Sequence, residues 1–209
     1  AYVIYKNSSN FYLSVIYLIT LGIYNFTFSG IRQSLAIGIT FLSYEFIKRK
    51  QWVRFLLSIL LASTFHKSAL VFLPAYLLYN IKIKKKHFLF VMVIISLIFV
   101  FKSFLIRFIV FKGLEKYESQ ILAESTGAYT MFFVMLTIYI TSLLLQGKTK
   151  NPVSLNAFSN FMLVAVVIQI SASESQVSMR AGYYYYIFTI LLLPEIITAF
   201  DGKKQENTI

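Results

Sequence analysis

Positive charge in this chain falls in every second gap between apolar runs, and that alternation points to a helical bundle threaded back and forth through a membrane. Lys48, Arg49, Lys50 and Arg54 fill one gap, Lys82 and Lys84 to Lys86 a second, Lys148 and Lys150 a third, Lys203 and Lys204 the last. The gaps between them hold isolated polar residues: Arg32 with Gln33, His66 with Lys67, Glu115 to Glu124, and Glu174 to Arg180. Lysine and arginine are retained on the cytoplasmic side of a membrane, so the pattern orients every helix. The isolated polar residues are then expected together on the outer face.

Composition agrees. With 58% hydrophobic residues, 13% charged and a mean hydropathy of +0.71, the chain is too apolar for a soluble domain. The net charge of +12 would suit nucleic acid only if it formed a basic face on a soluble fold. Here the cations sit in short loops where anionic head groups attract them, so membrane lipids are the expected partners and nucleic acid is not. The lack of cysteine excludes disulfides and thiolate metal sites within this chain. The chain opens at Ala1 in an apolar stretch, Tyr2 to Tyr5, that reads as the end of an earlier helix, with no targeting segment.

A spanning helix needs roughly 20 apolar residues. Residues 10–28, 30–47, 88–107, 128–146, 154–172 and 181–199 qualify as candidates. Val53 to Phe65 and Ser68 to Ile81 are shorter, and they meet at His66 and Lys67. Their turn is either recessed below the outer surface, lining a wet pocket as non-helical backbone at that depth requires, or a tight outer loop. The fold expected is therefore all-α: a polytopic transmembrane bundle of about eight hydrophobic helices, two of them short. It forms one domain over 1–200, with a disordered cytoplasmic polar tail over 201–209. Lys102 and Arg107 read as snorkelling side chains or as the rim of an outer cavity, and Lys112 to Gly127 as an amphipathic lid bearing Glu115, Glu118 and Glu124. The three prolines, Pro74, Pro152 and Pro194, are expected at helix ends or kinks.

Three places could carry chemistry. Arg32 and Gln33 follow Gly30 at the outer start of a helix, where unpaired backbone amides and a planar guanidinium suit diphosphate or carboxylate. The other reading of Arg32 is an interfacial anchor. His66, flanked by Lys67 and Ser68, is an ionisable group near membrane depth and able to pass a proton. A metal site is not expected, since the other histidine, His87, belongs to the cytoplasmic side. Arg180 opens the last helix and is followed by Tyr183, Tyr184, Tyr185 and Tyr186. Four tyrosines in succession point all around a helix, so at least one faces inward, where an aromatic ring and a hydroxyl suit a sugar. The other reading of the group is an interfacial aromatic belt. Glu174 is the nearest carboxylate.

At these residues the chain resembles the EpsG family of exopolysaccharide polymerases, relatives of the Wzy oligosaccharide repeat-unit polymerases. The resemblance rests on Gly30-Ile31-Arg32-Gln33-Ser34-Leu35-Ala36, the basic turn Lys48-Arg49-Lys50, Phe65-His66-Lys67-Ser68-Ala69 leading to Leu73-Pro74, and Arg180 with its tyrosines before Leu193-Pro194. The family usually has further N-terminal helices, so an N-terminal truncation is expected. The resemblance implies a metal-independent and cofactor-free glycosyltransferase at the outer face of the bacterial inner membrane, serving capsule, exopolysaccharide or O-antigen synthesis, with a cytoplasmic C-terminus. It would pass a growing glycan from undecaprenyl diphosphate to the hydroxyl of an incoming lipid-linked repeat unit. A flippase and a chain-length regulator of the same pathway are the implied protein partners. Arg32 and Arg180 would hold the diphosphate, His66 would bind the acceptor hydroxyl or take its proton, and Gln33, Lys67, Ser68, Tyr183 and Tyr184 would contact substrate. A flippase for lipid-linked oligosaccharide is the main alternative. It needs a continuous polar path, whereas the inner halves of the helices read as almost purely apolar.

Overall fold

The computed structural model describes residues 1–111, 128–149, 151–173 and 175–206. The lid expected over 112–127, Glu174, Lys150, residues 207–209 and the side chain of Arg107 lie outside what is described. The described residues form helices and no strands.

The chain opens with α1 (Tyr2–Asn7), α2 (Phe11–Thr20) and α3 (Ile23–Ser29), followed by α4 (Ile31–Lys48) and α5 (Trp52–Phe65). A 3-10 turn over Lys67–Phe72 leads to the single-turn α6 (Ala75–Leu78). Then come α7 (Phe88–Phe111), α8 (Ala128–Leu144), α9 (Pro152–Ile170), α10 (Gln176–Tyr186) and α11 (Thr189–Glu206). Among the described residues, two unbroken helices, over Lys85–Phe104 and Pro152–Ile170, are long and apolar enough to cross a membrane. The first has 17% of its span buried within the protein and the second 61%, so α7 presents its surface to lipid while α9 is the central post.

Several expected spans are interrupted. The 10–28 span bends by 49° between α2 and α3, because Gly22 adopts φ +73°, a conformation that costs little only for glycine. The 181–199 span starts earlier, at Gln176 under the cap of Ser175, and breaks after Tyr186, with α10 and α11 meeting at 47°. Arg180 is consequently a turn inside its helix and does not open it. Residues 68–81 are a 3-10 turn and one α-turn, not a single helix. Residues 201–206 continue α11 instead of forming a disordered tail.

Phe188, at the break between α10 and α11, is 1% exposed and occupies the centre of the core. Its ring stacks on Phe72 at 5.5 Å and meets Phe161 at 4.8 Å and Phe41 at 5.1 Å. Tyr44 closes the cluster against Phe158 and Phe188. Apolar burial of this kind favours packing without fixing direction; the direction comes from hydrogen bonds to backbone carbonyls.

Pro194 has no N–H to give the Ile190 carbonyl four residues earlier. The buried hydroxyl of Ser14 on α2 donates to that carbonyl at 2.6 Å. Pro74 likewise cannot supply the i+3 donor that the Val71 carbonyl would receive in a 3-10 turn, and the Tyr185 hydroxyl donates there at 2.9 Å. Beyond α6, Asn160 Nδ2 donates to the carbonyls of Leu78 and Ile81, Asn156 Nδ2 also reaches Ile81, and Gln146 Nε2 reaches Ile83.

The basic turns gather at one end. Lys6 is 2.7 Å from the Glu45 carboxylate, which also accepts from Asn7 Nδ2 at 2.7 Å, while Lys48 donates to Asn7 Oδ1 at 2.6 Å. Nearby, Tyr44 and Tyr79 pair at 6.0 Å, and the buried Glu195 accepts from Thr149 at 3.2 Å. The inner halves of the helices are thus not purely apolar, as the sequence reading had it: buried polar groups occur at this end as well, with the phenylalanine cluster beyond them. Lys102 does not snorkel. It is 9% exposed, with Nζ 2.8 Å from the Tyr129 hydroxyl and above the Tyr129 and Phe99 rings.

Ser14→Ala is expected to lower stability by roughly 1 kcal/mol, the usual worth of such a bond. In a Pro194→Ala background the same change should be close to neutral, because the substituted residue regains an N–H for the Ile190 carbonyl. Unfolding of the four variants in detergent micelles measures the coupling.

Candidate functional site

At the end away from the basic turns, three segments distant in sequence converge. α4 starts at Gly30, which provides no side-chain cap, and its first backbone bond runs from Ser34 N–H to the Gly30 carbonyl at 2.8 Å. The amides of this first turn are therefore outside the helical ladder, as at any helix start. Gly30 packs closely on Phe26: a Cβ there would lie 3.1 Å from Phe26 Cζ, so the ring would have to shift by a few tenths of an ångström.

Arg32 is exposed on this first turn and forms no hydrogen bond or ion pair with the described residues. Gln33, the next residue, is 4% exposed, and its Nε2 donates to the Arg180 carbonyl at 2.6 Å. This corrects its expected role. Gln33 fastens α4 to α10 and so positions both arginine-bearing turns, with its amide donor turned to the protein and not to a substrate. Arg180 is exposed, and its guanidinium is close enough to act on His66.

His66 lies in the turn between α5 and the 3-10 segment, outside both. It caps that segment: Nδ1 accepts from the Ser68 N–H at 3.4 Å and is 2.9 Å from Ser68 Oγ. Ser68 Oγ is in turn 3.2 Å from the Tyr184 hydroxyl. An N–H can only donate, so Nδ1 serves as the acceptor and the neutral ring carries its proton on Nε2. Partial burial, and then the positive charge of Arg180, push the His66 pKa below its ordinary value. The histidine is held neutral beside a cation and can offer Nε2–H to a ligand.

Tyr184, Tyr185 and Tyr186 are buried at 0%, 1% and 2% exposure, so the tyrosine run is not an interfacial belt. Tyr183 is part-buried and stacks on Phe26, with centroids 4.4 Å apart and planes 14° off parallel. Lys67 is exposed and forms no hydrogen bond or ion pair with the described residues of this network. The structure thus joins Gln33, Arg180, His66, Ser68 and Tyr184 in one network, sets Arg32 beside it on the neighbouring turn, and leaves Lys67 outside. Phe26 is the contributor missed from sequence. Its signal was its position one helical turn before Gly30 on a strongly apolar stretch, which resembles any other lipid-facing phenylalanine.

A bundle of apolar helices with two exposed arginines and a neutral histidine at one end defines a membrane protein able to hold an anion next to a hydrogen-bonding group. The sequence matches the EpsG family over residues 1–209, the whole chain, and the protein belongs to that family of polysaccharide-polymerase-like membrane proteins. Comparison with curated proteins and with solved structures gives no match.

Replacing Gln33 by Met should keep the shape of the buried side chain and remove its donor. Hydrogen exchange in residues 176–182 is expected to speed up by roughly fivefold or more, the opening equivalent of losing about 1 kcal/mol. Exchange in α9 should be unchanged.

Proposed function

We propose that this protein is a polysaccharide polymerase of the lipid-linked class, which transfers a growing glycan from undecaprenyl diphosphate to the hydroxyl of an incoming lipid-linked repeat unit at the outer face of the bacterial inner membrane. The observation that carries the reading is the Gln33 bond to the Arg180 carbonyl, which fastens the turn bearing Arg32 to the turn bearing Arg180 beside His66. Two arginines fixed on joined helices suit a diphosphate, since each guanidinium matches a pair of phosphate oxygens.

In the reaction the acceptor hydroxyl oxygen attacks the anomeric carbon while the bond from that carbon to the diphosphate breaks, leaving its electron pair on the diphosphate, and the hydroxyl proton passes through water to the released diphosphate. Arg32 and Arg180 offset the charge that grows on the leaving group. Of the two roles open to His66, binding the sugar oxygen through Nε2–H is favoured over taking its proton, because Nδ1 is engaged by Ser68. Ser68 and Tyr184 are then positioning residues for the histidine. Tyr183, on its Phe26 stack, offers a ring edge and a hydroxyl to the sugar. The outer sidedness and the cytoplasmic C-terminus of this reading rest on the gathering of basic turns at the opposite end.

The flippase alternative is disfavoured by the core. A polar path between the two ends would run through Phe41, Phe72, Phe158, Phe161 and Phe188, which are buried and in ring contact with one another.

In a polymerase-deficient strain complemented with the full-length gene at matched expression, Arg32→Ala, His66→Ala and Arg180→Ala should each reduce glycan elongation by roughly 100-fold or more. Arg32→Lys should recover only part, because a point charge replaces a planar fork. A normal ladder of glycan lengths from all three alanine variants would refute the assignment.

The pH profile provides a second check. Protonation of Nδ1 would break its acceptance from the Ser68 N–H, which positions the ring, and the His66 pKa lies below the ordinary value, so activity should fall only as pH drops below about 6.5. Removing the neighbouring positive charge eases protonation. The residual activity of Arg180→Gln should therefore lose its acid limb at a higher pH than wild type.

A further inference from the structure

A pocket of about 450 Å³ opens at the basic end of the bundle, away from the candidate site. Its walls are interior segments of the chain: the stretch after α6, the loop between α8 and α9, and the first turns of α9. Lys82 and Lys84 line it, and no carboxylate does. Both lysines are exposed, and neither takes part in an ion pair among the described residues. Lys84 has extended backbone, at φ −94° and ψ 161°, and residues two apart in such a chain project to the same side. Both ammonium groups therefore belong to one space.

Side chains from two other elements fix the wall that carries these lysines. Gln146 Nε2 donates to the Ile83 carbonyl at 2.7 Å, and Asn156 Nδ2 donates to the Ile81 carbonyl at 2.6 Å. The two bonds fall on the residues flanking Lys82, so the protein holds the backbone beneath the cations. Much of the remaining wall is apolar, with Tyr79, Ile83, Val153 and Leu155 along it. The position in depth is also defined. Lys84 immediately precedes the spanning stretch Lys85–Phe104, and Pro152, which lines the pocket, is the first residue of the spanning stretch Pro152–Ile170. The pocket thus lies where hydrocarbon gives way to head groups.

Two ammonium groups sharing a pocket that has no carboxylate repel one another until an anion sits between them. Phosphate oxygens accept from both. We infer that this pocket binds a phosphate-bearing ligand, with the phosphate between Lys82 and Lys84 and the less polar part of the ligand against Tyr79, Ile83 and Val153. The site is at the end opposite the two arginines and does not depend on glycan elongation. Two sources offer this chemistry at this depth: the head group of an anionic phospholipid and a soluble phosphate ester. Diffuse attraction of basic loops to an anionic surface depends on how many charges are present, whereas this site depends on which ones.

Full-length protein in an uncharged detergent is titrated with phosphatidylglycerol, and the lipid retained is read by native mass spectrometry. Lys82→Gln together with Lys84→Gln should weaken retention about tenfold or more. Arg49→Gln together with Lys50→Gln removes the same charge from another basic turn, one that lines no part of the pocket, and should change retention by less than about twofold. Val153→Trp keeps both lysines and fills the apolar wall; Val153 is 59% exposed, so the larger ring does not disturb the core, and retention should again weaken. Glycerol 3-phosphate identifies the source. If it displaces the lipid from wild type and fails to bind the Lys82 and Lys84 variant, the pocket takes soluble phosphate esters; if it does not compete while the lipid is retained, the pocket takes the lipid head group. Either result supports a phosphate site. Equal weakening by the two double variants would overturn it, leaving only diffuse attraction between charges. So would wild-type retention in the Lys82 and Lys84 variant, unchanged retention in Val153→Trp, or a wild-type protein that binds neither probe.

Discussion

Within a bilayer no water is at hand to pair a backbone group that leaves the helical ladder, so every break in a helix must be answered by a donor from elsewhere in the protein. Where a proline leaves a carbonyl open, and in the stretch beyond α6, this chain answers with a polar side chain from another element. Ser14 serves the Ile190 carbonyl left open by Pro194, Tyr185 the Val71 carbonyl left open by Pro74, and Asn156, Asn160 and Gln146 the carbonyls beyond α6. These Ser, Tyr, Asn and Gln residues are thus ties, each joining two elements. The interhelical geometry follows from where the breaks fall.

The break between α10 and α11 has the widest effect. It turns Phe188 into the centre of the bundle, where it meets rings from α4, the 3-10 segment and α9. The tyrosines lie just before it on the last turn of α10, where Tyr184 reaches Ser68 and Tyr185 reaches Val71. The aromatic centre that supports the site also separates it from the polar groups around Glu45 and Glu195.

Much of this was legible in the sequence. Apolar run lengths gave the helices, the placement of Lys48 to Lys50, Lys82 to Lys86 and Lys148 gave the two ends, and the motifs around Arg32, His66 and Arg180 gave the polar cluster opposite them. The family followed from the order of those motifs and matches the whole chain. Hidden were the roles that depend on what a side chain meets across the bundle. Gln33 reads as a substrate ligand until its amide is found on the Arg180 carbonyl. The tyrosine run reads equally as belt or site, because periodicity cannot say that three of its rings are buried. The breaks themselves were missed where no strong signal marks them: Gly22 sits within a continuous apolar stretch, and nothing in Tyr186-Ile187-Phe188 departs from helical composition. Such bends are imposed by tertiary contacts, which override weak local preference.

On the proposed reading, the Gln33 tie has a further meaning. A pair of cations stabilises a leaving diphosphate best when the protein, and not the ligand, holds them in place, because reorganisation then adds nothing to the barrier. Arg32 and Arg180 are exposed, and among the described residues their side chains have no hydrogen-bond or ion-pair partner to hold them. What fixes them is the backbone: one sits a residue before Gln33, the other carries the carbonyl that Gln33 grips. The neutral state of His66 fits the same logic. A protonated ring would add a third positive charge to a place already occupied by Arg180, whereas a neutral one supplies a directed hydrogen bond without that repulsion. The site thus separates its tasks, with charge on the two arginines and direction on the histidine.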